Sequence, residues 1–246
     1  MKTLSYVNFI ISILFMACYA YQAVYLVAAL LKKQKVFKAK KLHHYGVLIA
    51  ARNEEAVIAQ LIRSVRAQKY PEELIDIFVV ADNCTDNTAQ AAREAGAVVY
   101  ERHNTYAVGK GYALRFLLEN IFKNFGEYAY DGFFVFDADN VLDCRFVEEM
   151  NRTFSDGYEV VTSYRNSKNY GDNWISAGYA LWFIRESRYL NNSRMLLGTS
   201  CAVSGTGFLF SRQVMGRSLR RNMTHSIVID ALRMAWFKRH PDKHAG

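Results

Sequence analysis

Four short apolar runs, each closing on polar residues and followed by a helical pattern, constrain this chain more than any other feature. Tyr45–Ala51 (YGVLIAA) is continuously apolar or glycine, the mark of a strand buried on both faces. Behind it, Val57, Ile58, Leu61, Ile62 and Val65 recur at helical spacing, predicting a helix from about Glu54 to Gln68, with Asn53 as its cap and Pro71 beyond its end. The alternation continues. Ile75–Ala81 (IDIFVVA) reads as a strand, Thr85–Ala95 as a helix ended by Gly96, and Ala97–Tyr100 as a strand. Tyr112–Phe125 reads as a helix and Gly132–Asp137 (GFFVFD) as a strand. Asp143 caps a helix over Arg145–Phe154, and a strand over Glu159–Tyr164 follows. Strands alternating with helices imply an α/β fold with a mostly parallel, Rossmann-like sheet.

Ligands of such sheets sit at the carboxyl ends of the strands. The polar groups of interest lie there: Arg52 to Glu54 after the first strand, Asp82 after the second, Asp137 to Asn140 after the fourth. A dinucleotide fold fits the same alternation, yet no GxGxxG follows the first strand.

The segment preceding the sheet is different in kind. Leu4–Leu31 holds 28 residues without a charge, against the roughly 20 needed to cross a hydrocarbon core. It is longer than the apolar stretch of a secretory signal and apolar on all faces, so it reads as a single membrane span. Six lysines in Lys32–Lys41 (KKQKVFKAKK) then hold the following domain on the cytoplasmic side of the cell membrane. Four scattered cysteines, Cys18, Cys84, Cys144 and Cys201, form no CxxC pair and fit a reducing compartment.

The net charge of +8 concentrates in that lysine segment and in Arg212–Gly246, leaving Leu42–Ser211 net acidic. A basic nucleic-acid groove is therefore not expected in the central domain. The chain divides into an anchor and basic flank (1–41), an α/β domain (42–211) and a basic tail (212–246).

Three constellations carry chemistry. Asp137-Ala138-Asp139 closes a buried strand with Asn140 beside it. A turn there lets both carboxylates approach one hard cation, Mg²⁺ or Mn²⁺, which takes phosphate oxygens as further ligands. The blander alternative is one Asp capping a turn and the other solvated. Asp82-Asn83-Cys84-Thr85-Asp86-Asn87-Thr88 is denser in polar residues than one helix cap requires, and a carboxylate at Asp82 can accept hydrogen bonds from a base or ribose. Gly109-Lys110-Gly111 opens a helix, with glycines that admit a ligand to the backbone and a lysine for phosphate; a plain turn with an exposed lysine is the alternative. No Walker GxxxxGK[ST] is present.

Taken in order, VLIAARNEEAVIAQLIRSVRAQKYP, DIFVVADNCTDNTAQAAREAGA, GKGYAL and FFVFDADN resemble the family 2 glycosyltransferases of the GT-A fold, in particular membrane-bound processive and polysaccharide-synthesis members. The stretch Ser204-Gly205-Thr206-Gly207-Phe208-Leu209-Phe210-Ser211-Arg212 is similar to a family segment near the acceptor, so the likeness runs from about Tyr45 to Met215. It implies a nucleotide-sugar donor, usually UDP-linked, and a hydroxyl acceptor, a glycan or a lipid-linked one. It implies that Ala50 to Glu54, Arg52 included, line the nucleotide, with Glu54 near the base or ribose. Asp82 would bind the base and Lys110 approach the nucleotide. Asp137 would touch the ribose or a water of the metal, and Asp139 would ligate the metal; Gly205, Thr206 and Gly207 would lie toward the acceptor. The implied chemistry is inverting displacement at the anomeric carbon, with a carboxylate taking the acceptor's proton.

That carboxylate is where the likeness ends. The family's Thr-Glu-Asp and QxxRW motifs are absent after Met215, where the chain reads GRSLRRNMTHSIVIDALRMAWFKRHPDKHAG. Asp230, in SIVID, falls nearest the position of the base, but its neighbours do not match. The expectation is a C-terminal end cut short or altered by a reading-frame change, and transfer slowed on the order of 10²- to 10⁴-fold if the base is lost. A nucleotide-sugar-binding remnant, a nucleotidyltransferase and a non-enzymatic membrane adaptor are the rival readings.

Overall fold

A computed structural model of the chain describes residues 2–31, 36–39, 41–167, 170–203 and 205–215. In chain order the elements are helices α1 (Lys2–Tyr19) and α2 (Tyr21–Leu31), strand β1 (Tyr45–Ala51), α3 (Ile58–Arg66), β2 (Ile75–Asp82), α4 (Thr88–Glu94), β3 (Val98–Arg102), α5 (Lys110–Phe125) and β4 (Gly132–Asp137). There follow α6 (Phe146–Ser155), β5 (Val160–Thr162), α7 (Trp174–Ile184), a π-helical stretch (Arg185–Asn191), α8 (Asn192–Leu196) and β6 (Phe208–Ser211). The chain forms two compact units, Met1–Val36 with Tyr164–Ala202, and Phe37–Ser163 with Val203–Gly246.

The second unit holds one six-stranded sheet in the order β3-β2-β1-β4-β6-β5. β1 lies between β2 and β4 and is parallel to both, as β3 is to β2. β6 runs antiparallel to β4 and β5. The mostly parallel α/β architecture is thus the one expected, with one reversed strand, β6, that is not among the expected strands.

Alternation along the strands explains why their runs are apolar throughout. Tyr45, Val47 and Ile49 of β1 join Ile58, Leu61, Ile62 and Val65 of α3 and Val147 and Phe154 of α6 in one core layer. Leu48, Phe78, Val80 and Phe133 project to the other face and meet Ala113, Leu114, Leu117 and Leu118 of α5. Each Val, Leu, Ile or Phe among them contributes about 1.5–3 kcal/mol when fully buried.

Several boundaries differ from the sequence expectations. α3 starts at Ile58 rather than Glu54, and Asn53 is not its cap. A capping residue needs an extended backbone, whereas Asn53 has φ +56°. α4 begins at Thr88 rather than Thr85, after a turn in which Asp86 Oδ1 accepts from the Thr88 N–H at 3.0 Å. Asp143 likewise accepts from the Arg145 N–H at 2.9 Å, closing a turn ahead of α6 instead of capping it. β3 runs on to Arg102 because Glu101 and Arg102 pair in register with Ala81 and Asp82. β5 is shorter than expected, ending at Thr162.

In the first unit the uncharged N-terminal segment is helical, with a turn at Ala20 between α1 and α2. Leu4–Leu31 is long and apolar enough to span a membrane, and its apolar side chains are exposed. Ser193 Oγ donates to the Tyr25 carbonyl at 2.6 Å, tying α8 to α2.

Two outcomes test this packing. The Cβ of Gly46→Ala would stand 2.8 Å from two ring carbons of Phe133, itself wedged among Phe122, Tyr130 and Phe210. We expect a loss of about 1–3 kcal/mol, read from the urea midpoint of the detergent-solubilised chain. His43, at the opposite end of β1 from the polar loops, is buried and edge-on to Phe154. Burial, aided by Lys41 and opposed by Asp131, lowers its pKa from 6.5. The folded state then binds fewer protons there than the unfolded chain, so this contribution is complete above pH about 6.5 and is lost as pH falls. His43→Gln is expected to flatten that acid-side slope of stability against pH.

Candidate functional site at the carboxyl edge of the sheet

β1, β2 and β4 end side by side, so the loops that follow them share one edge. Register puts Ala50 opposite both Val80 and Asp137, and Ala51 opposite Ala81. With strands ~5 Å apart, the ends of β2 and β4 lie about 10 Å from one another across β1.

The first two loops are stitched together. Asn53 Oδ1 accepts from the Thr85 N–H at 2.8 Å, and the Glu54 N–H donates to Thr88 Oγ1 at 2.8 Å. The Glu55 carboxylate accepts from the Asn87 N–H at 3.1 Å while the Glu55 N–H donates to Asp86 Oδ2 at 3.2 Å. Thr88 holds Asp86 below the ordinary carboxylate range, chiefly through its hydroxyl. Arg52 is exposed and Glu54 half-buried beside this seam. The left-handed backbones of Asn53 and Asn83, at φ +56° and +53°, turn both loops inward. Asparagine tolerates this region because its short amide bonds locally.

Asp82 is buried, and its Oδ1 accepts from Arg102 Nη1 at 2.5 Å and Asn83 Nδ2 at 3.2 Å. Arg102 is also buried, and its Nη2 donates to the Ala107 carbonyl at 2.6 Å. Asn83 Oδ1 in turn accepts from the Asn104 N–H at 2.8 Å. No motif in the sequence singles out Arg102. Its only signal there is a charge two residues beyond the expected strand Ala97–Tyr100.

The third constellation comes from three distant segments. Lys110, the first residue of α5, donates from Nζ to Asp137 Oδ1 and, at 2.5 Å, to the Gly205 carbonyl. The Asp137 N–H donates to Thr206 Oγ1 at 2.8 Å, whose hydroxyl donates to Asn140 Oδ1 at 2.5 Å. Asn140 Nδ2 reaches Asp139 Oδ1 at 3.1 Å. The Gly207 N–H donates to Val135 O at 2.8 Å, docking the 205–207 turn on β4. Lys110, Asp137, Asp139, Gly205, Thr206 and Gly207 are therefore brought together, while Asp82 sits across β1 in its own buried pair. Asp137 is half-exposed and Asp139 exposed. Asp230 lies outside the described residues.

Among the described residues no group of three or more His, Cys, Asp or Glu is arranged to hold a metal. Two carboxylates two residues apart, at the end of β4 and in the turn that follows, do suit a hard cation that completes its shell with phosphate oxygens and water.

A parallel sheet with one reversed strand and an acidic pair at its carboxyl edge defines a GT-A-type domain. The chain belongs to glycosyltransferase family 2, whose profile, "Glycosyltransferase like family 2", matches residues 43–235. It is similar to 4,4'-diaponeurosporenoate glycosyltransferase of Staphylococcus aureus, 34% identical over 105 residues, covering 41% of this chain and 25% of that protein. It is also similar to beta-monoglucosyldiacylglycerol synthase of Nostoc sp., 36% identical over 68 residues, covering 26% of this chain and 14% of that protein. The matched region thus spans a quarter or less of these relatives. Among solved structures it shares its fold with a Pyrobaculum calidifontis mannosyltransferase in complex with GDP-Man and Mn²⁺. The TM-score there is 0.58 at 17% identity, over 83% of this chain and 56% of that one. A second is glucosyl-3-phosphoglycerate synthase of Mycobacterium tuberculosis in complex with Mn²⁺, UDP and phosphoglyceric acid, with TM-score 0.51 at 19% identity, over 84% and 70%.

The Asp82–Arg102 pair makes a direct prediction. Arg102→Met leaves a buried carboxylate uncompensated and is expected to cost on the order of 3–5 kcal/mol. Asp82→Leu in the same chain is expected to recover most of that loss. Urea unfolding of the single and double variants checks both.

Proposed function

We propose that this chain transfers a sugar from a nucleotide-sugar, UDP-linked, to a hydroxyl acceptor on a glycan or lipid, with Mg²⁺ or Mn²⁺ bound and inversion at the anomeric carbon. The observation that carries the proposal is the junction of Lys110, Asp137 and Thr206 beside Asp139, at the edge where parallel α/β sheets bind ligands.

Asp139 would ligate the cation, with Asp137 beside it as a second carboxylate. When bound, the cation neutralises the departing diphosphate. Ala50, Arg52 and Glu54 line the nucleotide. Asp82, fixed by Arg102, offers its remaining acceptor capacity to the base. Lys110 moves between Asp137 and the phosphates, and Gly205, Thr206 and Gly207 shape the acceptor side. In the displacement the acceptor oxygen bonds to the anomeric carbon, the bond from that carbon to the diphosphate oxygen breaks with its electron pair leaving on the diphosphate, and a carboxylate takes the hydroxyl proton. Asp230 is the acidic residue nearest in sequence to where the family places that carboxylate. Leu4–Leu31 anchors the chain in the cell membrane once, and the lysines of 32–41 keep the catalytic unit on the cytoplasmic side.

The test is thermal unfolding of the detergent-solubilised chain with nucleoside diphosphates and either cation. UDP with Mn²⁺ is expected to stabilise the chain, by about 2.7 kcal/mol at roughly a hundredfold excess over Kd. Asp139→Ala is expected to abolish the shift. No shift with any nucleoside diphosphate and either metal overturns the proposal, and pyrophosphate release from a nucleoside triphosphate would reassign the chain to nucleotidyl transfer.

A further inference from the structure

Helix α7 has its large and small side chains reversed relative to a helix of a soluble protein. Trp174–Ile184 contains no charged residue. Its buried positions are the small Ser176 and Ala180, one turn apart. Trp174, Ile175, Tyr179, Leu181 and Trp182 are exposed, Trp174 at 83% and Tyr179 at 61%. At about 100° per residue these five form a continuous band opposite Ser176 and Ala180. Amphipathic helices of soluble domains turn such a band to the core.

The geometry points to a membrane-interface helix: α7 lies in the headgroup region of a lipid bilayer, with this aromatic band immersed. The inference rests on the reading of Leu4–Leu31 as a membrane span. Continuity is the first argument. α7 belongs to the same compact unit as α1 and α2. The segment that follows it is fastened to α2 by Arg185 donating to Gln22 Oε1, by Ser193 Oγ donating to Tyr25 O, and by the Arg194 guanidinium 5.5 Å over the Tyr25 ring. The segment after the band is therefore tied to a helix that leaves Tyr21, Val24, Leu26, Val27, Leu30 and Leu31 exposed. Length is the second. α7 runs without a break into the π-helical stretch and α8, but its uncharged part is eleven residues, about 16 Å, too short to cross the ~30 Å hydrocarbon core, and the continuation carries Arg185, Glu186, Arg188 and Arg194, so the apolar part lies along the core rather than through it. Charge is the third. Arg185, Arg188 and Arg194 follow directly, and the one acid among them, Glu186, is paired with Arg165 at 3.1 Å. A cationic flank beside a Trp- and Tyr-rich band matches anionic headgroups over an acyl boundary.

The chain carries its own probes, because its only tryptophans are Trp174, Trp182 and Trp236. The full chain with Trp236→Phe is reconstituted in phosphatidylcholine–phosphatidylglycerol vesicles, recovered by flotation, and its emission measured with lipids brominated near the headgroup or near the chain ends. Quenching is expected from both lipids and stronger from the shallow bromines. Flotation without quenching overturns the inference and leaves the anchor standing, since the band is then covered by protein or faces water. Stronger quenching by the deep bromines overturns the interfacial placement. Failure to float removes the anchor reading and this inference with it.

Discussion

The burial of β1 on both faces governs the unit that holds the sheet. Its neighbours β2 and β4 run parallel to it, so the sheet cannot be built without helices above and below. Parallel connections return each strand in the same direction, and so the polar residues after Ala51, Asp82 and Asp137 reach the same edge. The site is a consequence of topology before it is a consequence of any one side chain. The opposite edge holds a different set, His43, Tyr45, Tyr70 and Asn151, in which Tyr70 donates to the His43 carbonyl at 2.9 Å and Tyr45 to Asn151 Oδ1 at 2.8 Å. Those bonds fix the start of β1 and leave its far end to the ligand loops.

β6 completes the edge from an unexpected direction. Running antiparallel to β4, it brings the 205–207 turn in beside the end of β4. Thr206 then bridges the Asp137 backbone and the Asn140 side chain. A residue nearly seventy positions away thereby sets the turn on which both carboxylates sit. Loops alone would leave that turn free to reorient, and the spacing of two acids matters only if their backbone is held.

What could be read in the sequence was whatever depends on local period. The apolar runs announce β1, β2 and β4, because burial on both faces leaves few polar positions, Asp76 near the start of β2 among them. The helical repeats gave α3, α5 and α6. The errors came where a side chain serves a distant segment. Asn53 has the composition of a helix cap, but its amide bonds Thr85, 32 residues on. Asp82 and Arg102 are twenty residues apart and carry no periodic signal linking them. β6 is only four residues long, too short for alternation to show. In α7 the composition was visible, but which side faces the protein was not, since small residues inward and aromatic residues outward is the opposite of the usual assignment. The acidic pair was legible because the strand before it is unambiguous; its engagement by Lys110 and Thr206 was not.

Electrostatics gives the proposed function its internal logic. The central region is net acidic, yet its donor would carry a diphosphate. Two cations at this edge are already committed, Arg102 to Asp82 and Lys110 to Asp137. Arg102 is buried and held at both ends of its guanidinium, so it is not available to phosphate. Lys110 is a third exposed and sits on a flexible stem, and an exposed ion pair of this kind is worth only about 0–1 kcal/mol. It can exchange Asp137 for a phosphate oxygen at little cost, provided another cation takes over the carboxylate. In the proposed function a divalent ion held by Asp139 would do that. On the proposed reading Lys110 would pair with Asp137 when no cation is bound and with a phosphate oxygen when cation and donor are. Metal and donor would then bind with positive coupling, because each relieves the charge that the other leaves unpaired.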